Sequence, residues 1–299
     1  MATLKEIQTK IGAVKKTQKI TKAMNMVAAS KLRGAQEKME AFRPYAGKFA
    51  EVLGSLAGRT GGDEERVPPL LASREEVKTI DLVLMTSDRG LCGSFNTNLI
   101  AKAEKFMAEK ADQGVEVRLI CMGRKGRDYF RRRKYNIIDE HIGVVGAKFG
   151  FNVAVTAGQA LINSFLGEET DQVYVLFSEF VSMARQAPTV SQLLPIAGVE
   201  EVEEAEEEQA GYVPEHICEP PAEELMAELL PKQVYVQLFS GLLETSTSEH
   251  AARMQAMDNA TKNCKEMITS LTLIFNKARQ AAITAELMDI VGGAEALKG

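Results

Sequence analysis

The chain has 299 residues, 45% of them apolar and 26% charged, and a net charge of −5. This composition is ordinary for a soluble globular protein, and the length allows one large domain or two modest ones with a buried core. No window approaches the roughly 18 uninterrupted apolar residues of a membrane span, and the lysine-rich start reads neither as a secretory signal nor as a transit peptide.

From Thr3 to about Ala57 the chain has no proline until Pro44 and is rich in Ala, Lys, Met, Leu, Ile and Gln, which favour or tolerate a helix. Leu4, Ile7, Ile11 and Val14, and again Ala28, Leu32, Ala35, Met39 and Phe42, advance in alternating threes and fours. That is the spacing of a coiled-coil seam. Between them, at Ile20, Ala23, Met24 and Val27, the phase slips. As a helix, positions 3 to 43 alone reach roughly 60 Å, too long for the inside of a compact domain. The string "GRTGGDEERVPP" at 58–69 then reads as a linker.

Periodicity changes between about Val77 and Leu194. Strands are expected at Thr79–Met85, Val115–Met122, Tyr135–Ile142 and Gln172–Phe180, with helices at Asn96–Lys110, Lys125–Lys134 and Phe151–Leu166 between them. Strand and helix alternating at this spacing predict a three-layer, mainly parallel α/β domain. The acidic segment that follows carries twelve glutamates and no Lys or Arg from Glu200 to Pro231.

From Lys232 to about Ile290 there is no proline and, apart from Gly241, no glycine. Cys264, Met267, Leu271, Ile274, Ala278, Ala281, Ala285 and Met288 again step by threes and fours. Such a helix is roughly 85–90 Å long, and Gly292-Gly293 offers a C-terminal stop. The expected organisation is a helix over 1–57, a linker over 58–76, an α/β domain over 77–199, an acidic connection over 200–231 and a second long helix over 232–299. The two long helices have only each other to pack on at comparable length, so an antiparallel coiled coil with an inserted α/β domain follows.

The string "SDRGLCGSFN" (87–96) follows the first expected strand, where open α/β sheets bind ligands. It contains no G-x-G-x-x-G, and "GVVGAKFG" (143–150) has the wrong spacing for a phosphate-binding loop. Cys92 beside Arg89 and a helix N-terminus is a candidate thiolate, yet His141, His216 and His250 fall outside any catalytic signature. The plainer reading gives Gly90 and Gly93 a tight turn, with Ser94 or Asn96 capping the helix, and leaves Asp88 and Arg89 for another role. Cys92, Cys121, Cys218 and Cys264 lie far apart without a C-x-x-C, which argues against a zinc site or a disulfide framework. The run Glu200–Glu208 reads as an exposed connection rather than a metal site. Eight Lys and Arg against one acid in the first 33 residues, and a second basic cluster from Arg124 to Lys134, point to docking on acidic protein surfaces. No base-reading module accompanies them to indicate nucleic acid.

The strings "KKTQKITKAMNMVAASKL" (15–32), "SDRGLCGSFNTNL" (87–99), "SEHAARMQAMDNATKN" (248–263) and "IFNKARQAAITAELMDIVGGAEAL" (274–297) together resemble the gamma subunit of F-type ATP synthases, in the family's order and from end to end. The resemblance implies an antiparallel coiled coil of the terminal helices with an inserted Rossmann-like α/β domain that binds no nucleotide. It implies a rotor shaft within a hexamer of alpha and beta subunits, one copy per complex. Its foot would sit on the membrane c-ring beside epsilon. By the same resemblance it is a non-catalytic, peripheral subunit at the cytoplasmic face of a bacterial plasma membrane, with no cofactor, no metal, no nucleic-acid partner and no membrane span. Met24, Arg279 and Gln280 are then contacts to beta, with Lys19, Lys22 and Lys31 adding charge. Glu219 and Pro220 match the foot motif, while His216 and Cys218 replace its usual aromatic pair. Asp88, Arg89, Gly90, Cys92 and Gly93 form an interface loop. The chain lacks the inserted cysteine pair of the chloroplast form. The rival readings are a coiled-coil scaffold outside the synthase and an α/β enzyme using the 87–96 loop.

Overall fold

The computed structural model describes residues 3–60, 68–74, 76–146, 149–196 and 221–296. Contacts divide it into two compact units, one of residues 1–29 with 253–299 and one of 30–252.

In the second unit, five strands run β1 (Thr79–Met85), β2 (Glu116–Met122), β3 (Ile137–His141), β4 (Gln172–Phe180) and β5 (Gln186–Leu194). Their order in the sheet is β3-β2-β1-β4-β5. The first four are parallel, and β5 lies antiparallel on the edge. Helices α2 (Phe95–Asp112) and α3 (Arg124–Arg132) cover one face, burying Leu99, Ala103 and Phe130 against Leu82, Leu84, Leu119 and Leu176. Helix α4 (Phe151–Leu166) covers the other, burying Ala157, Leu161 and Phe165 with Val83, Ile120 and Val175. The odd and even residues of β1 thus serve opposite faces, as the pleat requires.

The strand β5 was not among the expected elements. Its "QAPTVSQLL" contains Pro188 and few strong strand formers. Pro188 stands opposite Ser178, whose backbone groups point away from β5, so the missing N–H costs the ladder nothing. Two prolines also lie inside helices. Helix α1 (Leu4–Thr60) runs through Pro44, and the last helix, α5 (Ala222–Ala296), contains Pro231. Helix α5 therefore starts ten residues before Lys232. It also continues past Gly292 and Gly293, neither of which takes the left-handed conformation of a stop signal.

The α1 and α5 parts of the second unit embrace the α4 face of the sheet, with Leu53, Leu56, Leu230, Val234 and Leu242 in the same core. At Gly158 of α4 a Cβ would lie 2.4 Å from the Tyr235 ring, so the two helices meet at a distance only glycine permits. Two carboxylates are held inside. Asp81, fully buried, faces Arg118 across the β1–β2 pair, with Oδ1–Nε 2.7 Å and Oδ2–Nη2 2.9 Å. Burial pushes its carboxyl above the ordinary value, against the pull of the Arg118 guanidinium. Asp171 accepts the N–H groups of Lys78 (2.8 Å) and Thr79 (2.9 Å) and pairs with Arg74 (2.9 Å). Burial pushes its carboxyl up, but those two backbone N–H groups and Arg74 outweigh it and hold it below the usual range.

In the first unit, α1 and α5 run antiparallel, as two contacts show: the Thr21 and Thr261 hydroxyls are 2.8 Å apart, and Asn25 Nδ2 donates to the Met254 carbonyl at 2.8 Å. The inward positions of α1 are Leu4, Ile7, Ile11, Val14, Gln18, Thr21, Asn25 and Ala28, with Met24 and Ala29 beside them. The seam does not slip. It becomes polar for two turns, and Ile20, Met26 and Val27 face outward, each more than half exposed. Along α5 the inward positions include Met257, Thr261, Cys264, Ile268, Leu271, Phe275, Ala278 and Ala282. The expected Cys264, Leu271 and Ala278 are among them. Met267, Ile274 and Ala281 are outside, each displaced by its neighbour Ile268, Phe275 or Ala282. Polar seam residues align two helices at some cost in stability.

The Thr21–Thr261 pair makes that cost measurable. Valine at either position alone should lower the unfolding free energy by about 0.5–1.5 kcal/mol. The double variant should cost less than the sum, as read by thermal unfolding of the intact chain. For Asp171 the linkage runs the usual carboxylate way. Its folded pKa is depressed, so its stabilisation is complete above the ordinary Asp value near 4 and fades as pH falls through the folded pKa. Asp171→Asn should cost about 1–3 kcal/mol at neutral pH, and the gap to wild type should shrink in denaturant titrations below about pH 4.

Candidate functional site

The loop 87–96 leaves the carboxyl end of β1, beside β4. Because the chain leaves β1 by a crossover towards β2 and leaves β4 by a hairpin towards β5, on opposite sides, the gap between β1 and β4 is the place where open sheets open a ligand crevice. Here Ser87 and Asn96 commit their polar groups to the loop itself. Asn96 lies inside α2 rather than capping it, and its Oδ1 accepts the Ser87 N–H at 3.0 Å. Its Nδ2 donates to Ser87 Oγ at 2.8 Å and to Cys92 Sγ at 3.1 Å. Ser94 occupies the cap position without a side-chain cap bond. Ser87 Oγ in turn donates to the Arg89 carbonyl at 2.6 Å.

The same loop clasps the start of α3. Asp88 Oδ1 accepts the Arg124 N–H at 3.0 Å, and Thr86 Oγ1 accepts that of Gly126 at 2.9 Å. These bonds place a carboxylate at a helix N-terminus, where the dipole favours it. Gly123 adopts φ 114°, and a Cβ there would lie 2.0 Å from the Thr86 carbonyl oxygen, so the clasp closes only around glycine. The left-handed residues of the loop itself are Leu91 (φ 65°) and Gly93 (φ 60°). Gly90 does not supply such a conformation; the Lys125 side chain passes beside it, with Cε 3.7 Å from where a Cβ would stand. Arg89 is exposed, Asp88 and Gly90 are half-buried, and Cys92 is 2% exposed. A second thiol, Cys121, is pushed up to about 12 by burial.

Beyond the ends of β1 and β4, the crevice is filled by the chain's own α5. A Cβ at Gly241 would stand 3.3 Å from Met85 Sδ and 3.6 Å from Phe177 Cβ. Glu244 to His250 are buried without a break. Thr245 Oγ1 accepts the Ser178 N–H at 3.2 Å, Ser248 Oγ donates to the Ser178 carbonyl at 3.1 Å, and Glu244 Oε2 accepts the Phe180 N–H at 2.8 Å. These are the β4 backbone groups that β1, ending at Met85, leaves unpaired. A segment expected only as part of the second long helix is therefore the plug of the sheet's crevice. The one hint of it was the polar run "ETSTSEH" within an otherwise apolar stretch.

The remaining candidates lie apart from this loop. Met24 is half-buried next to Asn25, while Arg279 and Gln280 are exposed on α5. Asn25 bonds Met254, so Met24 and Arg279 are separated by roughly 35–40 Å of helix. Glu219 and Pro220, with His216 and Cys218, lie outside the described residues. Composition did not reveal the exposed apolar series: Ile20, Met26 and Val27 on α1, then Met267, Leu273, Ile274, Ile283, Leu287, Met288, Ile290 and Val291 on α5. No helix among the described residues is long and apolar enough to cross a membrane.

The family model described as ATP synthase matches residues 3–297. A protein of Desulfosudis oleivorans named ATP synthase gamma chain is 59% identical over 305 residues, covering both chains in full. One of the same name from Desulforapulum autotrophicum is 58% identical over 301 residues, covering 99% of this chain and all of that one. Among solved structures, a chain of the central stalk and c-ring of Tetrahymena thermophila mitochondrial ATP synthase aligns with a TM-score of 0.59 at 25% identity, covering 81% of this chain and 99% of that one. A chain from the rotor of the Euglena gracilis mitochondrial enzyme aligns at 0.62 and 16% identity, over 94% and 98% of the two chains, and shares the fold. With full-length identities approaching 60%, the chain belongs to the ATP synthase gamma-chain family.

Proposed function

We propose that this chain is the central-stalk shaft of an ATP synthase, turning within a hexamer of alpha and beta subunits and carrying no reaction centre of its own. The observation that carries the reading is the bare end of α5. Contacts at Thr21–Thr261 and Asn25–Met254 set Leu4, the first residue of α1, opposite the region of Ala278. Beyond Ala282 every described side chain of α5 is exposed, and Ile283, Leu287, Met288, Ile290 and Val291 are each about half exposed or more. Only Glu286 and Asp289 carry charge between Ile283 and Val291.

An exposed apolar helix end is costly in water at roughly 25 cal/mol per Å² and calls for a cover. A cover made of apolar, non-directional contact lets the end turn, because no ion pair must break at each angle. Directional contact belongs further down, where Arg279 and Gln280 stand exposed for a loop of beta, and where Met24 and the basic residues Lys19, Lys22 and Lys31 meet an acidic segment of beta. Glu219 and Pro220 would reach the c-ring beside epsilon, and the 87–96 loop would present Arg89 and Leu91 to the rim of the hexamer. The self-filled crevice at the switch point supports a subunit without nucleotide chemistry. ATP chemistry would then belong to beta, with this subunit peripheral to the membrane on its cytoplasmic face.

Mixing the chain with alpha and beta subunits should yield a complex with cooperative ATPase; a chain that stays outside such a complex would defeat the reading. In that complex, embedded with its membrane sector, removal of the residues after Val291 should lower proton pumping per ATP by less than about twofold. Arg279→Glu should lower it by at least about fivefold, equivalent to roughly 1 kcal/mol. Equal pumping by the two variants would remove Arg279 from the contact.

A further inference from the structure

Apolar packing between a helix and a sheet resists separation, but being non-directional it resists sliding poorly. Hydrogen bonds at fixed positions resist sliding, because they weaken steeply once their geometry is lost. In the second unit such bonds concentrate on one turn of α5. Glu244 divides its carboxylate between two elements: Oε1 accepts from Arg43 Nη2 of α1 at 2.9 Å, and Oε2 accepts the Phe180 N–H at the end of β4 at 2.8 Å. Its side chain is 10% exposed. Thr245, the next residue, and Ser248, one turn on, hold both backbone groups of Ser178. Around this turn Gly241 brings α5 against Met85 and Phe177, and Phe42 of α1 meets Phe239 edge-on at 4.9 Å.

A buried carboxylate is expensive unless each oxygen is satisfied. Packing alone would be served as well by leucine or methionine at this position. What a carboxylate provides is a fixed three-way joint among α1, α5 and the sheet, with a charge-assisted bond on the α1 side. We propose that Glu244 is a positioning residue for torque transfer: with Arg43 and the Phe180 amide it locks the sheet domain to both long helices, so that load on the domain turns the helix pair without slip. This rests on the shaft reading above and adds to it the place where the two parts of the second unit are fastened. Glu244 acts through the joint and touches no nucleotide.

The test uses the assembled synthase in membrane vesicles, with ATP hydrolysis and ATP-driven proton pumping measured together. Glu244→Gln keeps an acceptor for the Phe180 amide and removes the charge facing Arg43. Arg43 is half-exposed, so Arg43→Gln retains the fold even where Glu244→Gln fails to assemble. Each variant should hydrolyse ATP within about twofold of wild type while its pumping-to-hydrolysis ratio falls at least about threefold, and the double variant should be no worse than the worse single one. Loss of thermal stability with an unchanged ratio, or ratios that fall additively, would overturn the joint and leave only a structural ion pair. A wild-type complex that hydrolyses ATP without pumping would overturn the shaft reading itself, whereas wild-type pumping with unaltered variants would overturn the joint alone.

Discussion

The structure depends on α5 having to satisfy different neighbours along one continuous helix. Between Gly241 and His250 it lies against the sheet, where backbone groups of β4 outlast their β1 partner and must be paired. From Met257 to Ala282 its neighbour among the described residues is α1, and hydroxyl, amide and apolar contacts alternate along the seam. Past Ala282 it has no neighbour from this chain among the described residues. The same backbone geometry therefore carries a plug, a seam and a bare end in succession, distinguished only by side chains.

This explains why part of the architecture was legible and part was not. Strands β1 and β4 and helix α4 matched their expected bounds because apolar density and β-branched residues agree there. The α1 seam was legible at both ends and lost in the middle, since Gln18, Thr21 and Asn25 give no hydrophobic signal while Ile20 and Val27 give a false one. On α5, Met267-Ile268 and Ile274-Phe275 are adjacent apolar pairs, and periodicity alone cannot choose between neighbours that differ by 100° around the axis. Tertiary contact chose. The proline at 231 misled in another way, because a helix packed on a core can bear a proline that would end an isolated one.

The loop at 87–96 shows the same limit for function. Its residue types suit catalysis, and its place in the sheet suits a ligand, yet Asn96, Ser87 and Asp88 bond to one another or to the start of α3. Chemistry-bearing side chains become an active site only when their polar atoms are left facing a cavity. Nothing in the string itself says that α5, some 150 residues later, fills the space. Likewise nothing in the string around Asp81, a charge in the middle of an apolar strand, says that it is half of a buried ion pair with Arg118.

The exposed apolar residues of α1 and α5 bear on the life of the newly made chain. Side chains such as Val27, Leu273, Met288 and Ile290, each more than half exposed, form a surface that adheres to whatever apolar face it meets first. A cell that makes this subunit in excess of its partners accumulates a sticky intermediate, open to chaperones and proteases. Abundance of the chain is then governed by how quickly a partner takes it up, and matched synthesis of the subunits becomes a requirement set by the helix surface.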